Sequence, residues 1–326
     1  MKRRTFVQGS ALAGLTDVIL GGGRSGHAFD SGIPLTGADD CREAPPKILS
    51  LKGEYYRHYP VDFSKGPLGA LGMKGWGETV TIEAPLKETA LVSMHAENIG
   101  LVPQIPYADK GPLAGYMSWL EYEGRKMDIL RTIYPRILAA ARGAALPVVH
   151  VSMDDYGKKY PGYKKALELA EPEPEMSTPK APGAGQLRPP DDIKGKLVFG
   201  EHYNDNRDEE HFGRFFDFVE PAKPQDDEFV VETSHQLSSV LHSIGAWNLI
   251  YIGFAINWCL WFSGAGMVDM SRLGYRCSCI REAVTAVENR ESVQGEQHKQ
   301  EALWRTSLMF GYVFGAEDFI SACERI

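Results

Sequence analysis

Cys259 is the residue in this chain whose type and place could do chemistry. It follows the apolar run Leu249-Ile250-Tyr251-Ile252 after the turn Gly253-Phe254-Ala255-Ile256-Asn257-Trp258. A cysteine entering a helix directly after a strand gains from the helix's amino-terminal partial charge, which lowers thiol pKa and favours the thiolate. Backbone N–H groups of Ile256 and Asn257 in the same turn are placed to cradle a carbonyl oxygen as it becomes anionic. Thiolate and oxyanion donors together point to acyl transfer through a covalent intermediate. The competing reading is an inert core cysteine between Trp258 and Leu260. Two other features carry less. Cys277 and Cys279 are spaced CxC with no second pair, so packing along a strand is a sufficient reason for them. His202, Asp205 and His211 form an acidic cluster that can hold a cation, but charge runs in polar insertions are usually solvated. No metal and no other cofactor is expected.

The elements that must position Cys259 read as alternating strands and helices. Thr89 to Met94 is a short buried-strand pattern. Trp119, Tyr122, Ile129, Leu130, Ile133, Ile137, Leu138 and Ala141 then recur at helical spacing up to Gly143. Pro147 to Val151 is a second buried strand, which makes a parallel crossover unit. Glu228–Val231, Leu249–Gly253, Tyr275–Cys279 and Tyr312–Phe314 give further strands. Helices are expected over Leu237–Ile244, 259–273 and Glu296–Phe310. The alternation predicts an α/β fold, an open and mostly parallel sheet with helices on both faces. Ligands in such sheets bind at the carboxyl ends of the strands. Residues 154–225 interrupt the rhythm with many prolines and acids and read as a lid-like insertion. Residues 29–86 read as a linker and extended amino-terminal arm, irregular over 49–82.

Composition sets outer limits. The 326 residues are 43% hydrophobic and 24% charged with a net charge of −8, a mix that excludes collagen, coiled coil and pervasive disorder. Lysine and arginine do not cluster in the body of the chain, so nucleic acid is not an expected partner. No apolar run reaches ~18 residues, so no span is expected in the mature protein. The amino terminus, Met1-Lys2-Arg3-Arg4-Thr5-Phe6-Val7, precedes a weakly apolar stretch to Gly23 and small residues before Phe29. It resembles a twin-arginine export signal over residues 1–28, which predicts a periplasmic or otherwise exported protein, with a cytoplasmic one the alternative if the signal fails.

Segments in order along the chain resemble the isochorismatase-like cysteine hydrolase superfamily. They are Thr89-Ala90-Leu91-Val92, the stretch Ala140 to Val151, Leu241 to Gly245, Leu249 to Leu260, Gly274-Tyr275-Arg276, and the block Ala283 to Phe319. The resemblance covers about residues 87–322, interrupted by the insertion. It implies a three-layer α/β/α domain over 87–326, a sheet of about six strands, often a homo-oligomer, and hydrolysis of an amide, imide or related C–N carbonyl of a small molecule. The family places an Asp at the end of its first strand and a Lys after its middle strand. Here His95 stands at the Asp position and Glu232 at the Lys position; a rival alignment offers Lys223. His95 can take the thiol proton, and Glu232 can orient its ring. The other class is a small-molecule-binding protein on the same fold, its acid–base machinery lost.

Overall fold

The computed structural model describes residues 45–98, 121–153, 155–170, 216–225 and 227–326. Two strands open this body, β1 (Ile48–Arg57) and β2 (Gly75–Pro85). The crossover follows: β3 (Thr89–Met94), α1 (Glu123–Arg131), α2 (Ile133–Gly143) and β4 (Val148–Val151). After α3 (Pro161–Leu169) come β5 (Phe229–Val231), α4 (Ser234–Ile244) and β6 (Asn248–Phe254). Two short helices, α5 (Cys259–Phe262) and α6 (Met267–Arg272), lead to β7 (Arg276–Thr285). The chain closes with α7 (Gln297–Met309), β8 (Val313–Phe314) and α8 (Ala316–Glu324).

One sheet holds all eight strands in the order β2-β1-β8-β7-β6-β3-β4-β5. The six from β8 to β5 are mutually parallel. The expected count of six is therefore corrected to eight. The residues read as an irregular arm form β1 and β2, which pair antiparallel and extend the sheet beyond β8. The alternation Leu49, Leu51 inward against Ser50, Lys52 outward is the half-buried strand signal in that segment. The single long helix read from Trp119 to Ala141 is broken at Thr132, so its described part is two helices.

Every residue of β3, β4 and β6 is buried, as a strand covered on both faces requires. Alternate residues feed two cores. Leu91, Val148, Ile250 and Ile252 pack with Tyr134, Ile137 and Leu138 of α2 and Phe319 of α8. Ala90, Val92, Tyr251, Cys277 and Cys279 pack with Leu237 and Leu241 of α4, Met267 of α6 and Leu303 of α7. Each fully buried aliphatic side chain contributes about 1.5–3 kcal/mol. Helix α4 has a reciprocal cap, Thr233 with Gln236, and ends at the left-handed Gly245.

The strand order reverses between β3 and β6. From β3 the chain builds outward through β4 to β5; from β6 it builds the other way, through β7 to β8. That makes the carboxyl ends of β3 and β6 the switch point, where an open α/β sheet leaves a crevice.

Candidate active site at the switch point

Gly253 sets how closely β6 approaches β3. It pairs with Met94 and has φ +125, and a Cβ there would lie 2.0 Å from the Met94 carbonyl oxygen. Beyond it the Phe254–Ala255 peptide is cis. The Ile256 amide donates to the Thr285 carbonyl oxygen at 2.9 Å, and the Asn257 side chain exchanges two hydrogen bonds of 2.9 Å with the Val287 backbone. The turn is thus pinned to the end of β7. The Ile256 amide is engaged there, which corrects its reading as an oxyanion donor. Amides of Ala255 and of Cys259 itself are directed at the Cys259 sulfur.

On the neighbouring strand, His95 continues the β3–β4 ladder, its amide donating to Val151 at 3.1 Å, and takes φ +47. Ala96, Glu97 and Asn98 then run against residues 217–219. Glu97 bridges to Phe218, the Val219 amide donates to Ala96, and the Asn98 amide donates to Asp217 at 2.8 Å. Glu97 is 2% exposed. One carboxylate oxygen accepts from Lys126 Nζ at 2.6 Å; the other, Oε2, has no hydrogen-bond partner among the described residues.

Lys126, on α1, is fully buried and also donates to Glu123 at 3.1 Å. Burial alone would lower its pKa, but Glu97 and Glu123 outweigh that and raise it, so it is an ammonium at neutral pH. Its Nζ lies 5.9 Å from the Phe254 ring centroid, which stacks on Tyr134 at 6.0 Å; the Tyr134 hydroxyl in turn meets Ser93 at 2.8 Å. The ion pair is thereby wedged between the ends of β3 and β6.

This pair acts on both sequence-predicted residues of the switch point. Burial and then the Glu97 carboxylate push the Cys259 thiol up to about 11, against the opposing pull of Lys126 and the two amides. Burial also lowers the His95 pKa, with Glu97 raising and Lys126 lowering it. Resting Cys259 is therefore a thiol and His95 a neutral ring. The expectation of a lowered thiol pKa is corrected: a four-residue helix has little dipole, and desolvation beside a carboxylate dominates.

The other two candidates sit at the end of β5 and ahead of it. Glu232, at the end of β5, accepts from the Tyr163 hydroxyl at 2.9 Å and faces Lys158 at 4.0 Å through Oε2, while its buried Oε1, like Glu97 Oε2, has no hydrogen-bond partner among the described residues. Lys223 precedes β5 and pairs with Glu220 at 2.6 Å and Asp217 at 3.8 Å. His202, Asp205 and His211 lie outside the described residues, as do residues 1–28 and most of the 154–225 insertion. Among the described residues no cluster of three metal-ligating side chains occurs, and no helix is long and apolar enough to cross a membrane.

Glu97 and Lys126 were not singled out in the sequence, though one signal was present. Lys126 falls on the apolar stripe Tyr122, Leu130, Tyr134, Ile137, where a core residue belongs. A lysine at such a position needs a buried anion.

No protein-family model and no curated protein matches the chain. Solved structures similar to it include a cysteine hydrolase from Pseudomonas syringae, at 16% identity and TM-score 0.41, covering 74% of this chain and 94% of that one. An isochorismatase from Pseudomonas putida shows 16% identity and TM-score 0.37 over 72% and 91%. An N-carbamoylsarcosine amidase from Thermoplasma acidophilum shows 16% and 0.34 over 71% and 97%. At such identities and TM-scores these likenesses bear no weight on chemistry, which must come from the residues themselves.

Proposed function

We propose that the chain is a cysteine hydrolase that cleaves a C–N bond at the carbonyl of a small molecule. The observation that carries the reading is the meeting of a thiol, a buried carboxylate with one oxygen uncommitted, and a buried ammonium at the sheet's switch point. Glu97 Oε2 takes the Cys259 proton as sulfur bonds to the carbonyl carbon. Lys126 holds Glu97 in place and offsets the charge that builds. The C–N bond breaks, the same proton passes from Glu97 to the leaving nitrogen, and an acyl thioester remains. Water, losing its proton to Glu97, then attacks the thioester; the acid leaves and the thiol regains its proton. A thiol with a pKa near 11 suits this scheme, because nucleophile and base exchange the proton only as substrate arrives. His95, neutral beside the pair, and the Asn257 amide are the further groups assigned to the substrate carbonyl.

The same high pKa favours the second reading, a small-molecule-binding protein with an unreactive thiol. Screening a panel of amides, imides and ureas separates them. Hydrolysis that disappears in Cys259→Ser supports the enzyme; tight binding without turnover in both proteins supports the binder. Export through residues 1–28 is part of the proposal, supported by the paired arginines and Phe6. Fusing those residues to a folded reporter tests it, with Arg3→Lys and Arg4→Lys expected to hold the reporter in the cytoplasm. Self-association is read separately, by sedimentation.

A further inference from the structure

We infer that Asp217 is a positioning residue: it sets the place of the Glu97 carboxylate relative to the Cys259 thiol through the backbone that Glu97 shares with residues 217–219. The inference rests on the hydrolase reading of the site. Glu97 lies in no regular strand; it follows β3 by three residues and is carried by the turn at His95. What holds its backbone is the antiparallel segment Asp217–Val219, through the bridge Glu97–Phe218, the Val219 amide on Ala96 at 2.9 Å and the Asn98 amide on Asp217 at 2.8 Å. The Asn98 side chain returns the contact, accepting from the Asp217 amide at 3.1 Å.

That segment is itself fixed by one carboxylate and one ring. The Asp217 side chain accepts from the Tyr160 hydroxyl at 2.6 Å and from its own neighbour's amide, Phe218, at 2.8 Å. Lys159 lies 2.9 Å and Lys223 3.8 Å from its other oxygen. The Phe218 ring, 1% exposed, stands edge-on to Tyr156, Tyr160 and His150 at 5.1, 5.4 and 5.5 Å. Asp217 is thus the point where the Glu97 backbone is tied to the residues following β4. A carboxylate whose action on a thiol depends on a few tenths of an ångström needs such an external tie, because its own segment has only two ladder rungs.

The test reads Glu97 through Cys259 and needs no substrate. Cys259 labelling by iodoacetamide is followed against pH by mass spectrometry in full-length wild type, Glu97→Gln, Asp217→Asn and the double variant. Glu97 raises the thiol pKa, so Glu97→Gln should shift the labelling profile to lower pH and speed labelling at pH 8 by about three- to tenfold. Asp217→Asn should shift it the same way, by at least about twofold, and should add nothing in the Glu97→Gln background. Additive shifts would mean that Asp217 acts on the thiol by its own charge, and would overturn the inference. An unmoved profile in folded Asp217→Asn, with Glu97→Gln still shifted, would also overturn it and leave the hydrolase reading standing. A Glu97→Gln profile identical to wild type removes the reading itself. Where Asp217→Asn does not fold, Tyr160→Phe removes one hydrogen bond to the same carboxylate and must shift the profile in the same direction, or the inference fails.

Discussion

Two buried acid–base clusters, one joined through Lys126 of α1 and one through Arg142 of α2, differ in one respect. In the first, Lys126 joins Glu97 and Glu123. In the second, Glu228 joins Arg142 and His150, with Arg142 Nε at 2.7 Å, Arg142 Nη2 at 2.8 Å and His150 Nε2 at 2.8 Å. The Gln225 amide adds a further hydrogen bond at 2.8 Å, so both Glu228 oxygens are in use. Burial would raise the Glu228 pKa, yet Arg142 and His150 bring it down to about 2. Glu97 has one strong donor and one idle oxygen, beside a thiol. A carboxylate saturated with donors is a structural anion. One left half-satisfied at the sheet's switch point keeps a desolvation cost that a later proton or ligand can offset.

Exchanging each acid for its amide strains this comparison hardest. Glu97→Gln should cut hydrolysis by about 10²–10⁴-fold, the usual loss when a general base is removed. Glu228→Gln should leave turnover per folded molecule within about twofold. Its cost should appear in urea denaturation, at up to about 3 kcal/mol, because Arg142 loses its buried counter-charge. If the two variants behave alike in both assays, the distinction between an open and a closed cluster is void.

Lys126→Met tests the open cluster from its cationic side. It leaves Glu97 buried without an ion partner, and the carboxyl should take up a proton to avoid an isolated charge. Destabilisation of about 3–5 kcal/mol and loss of hydrolysis should come together. Infrared spectra should show a protonated carboxyl band in the variant that Glu97→Gln removes. Retained activity with no such band would mean that Lys126 does not hold the carboxylate.

Acid sharpens the closed cluster. The folded Glu228 pKa is depressed from 4.5 to about 2, so its contribution is fully present above the unfolded value and is lost as pH falls towards 2. The most it can add is about 3 kcal/mol. Wild type should therefore lose urea resistance between pH 5 and pH 3 more steeply than Glu228→Gln. Equal slopes would place the acid sensitivity in other carboxylates.

Much of the fold could be read before any coordinates because parallel strands buried on both faces write continuous apolar runs. Leu249 to Gly253 and Pro147 to Val151 are of that kind, and the glycine after Ile244 marks a helix end, where the structure gives it φ +71. The strands β1 and β2 were legible only in part, since mixed sequences such as Glu54-Tyr55-Tyr56 do not say which edge they join. At the site, Cys259 announces itself by following a strand. Its partners do not. Glu97 lies beyond its strand's end, and the role proposed for it depends on Lys126, 29 residues away on a helix. Long-range ion pairs leave no spacing signal, whereas a lysine in an apolar stripe does.

The smallest effect is expected at the residue that strand alignment offered as the lysine. Lys223 is 38% exposed and shares Glu220 and Asp217 with solvent. Exposed pairs of this kind contribute about 0–1 kcal/mol, although the hydrogen bond to Glu220 raises the Lys223 pKa. Asp217 keeps Tyr160 and Lys159 when the ammonium is removed. Lys223→Met should therefore change stability by no more than about 0.5 kcal/mol and leave Cys259 labelling unchanged. A tenfold loss of turnover would mean that Lys223 reaches the site with substrate bound, and a tenfold loss of labelling that it acts on the resting thiol. The division between the closed Glu228 cluster and the open one at β3 and β6 would then have to be redrawn.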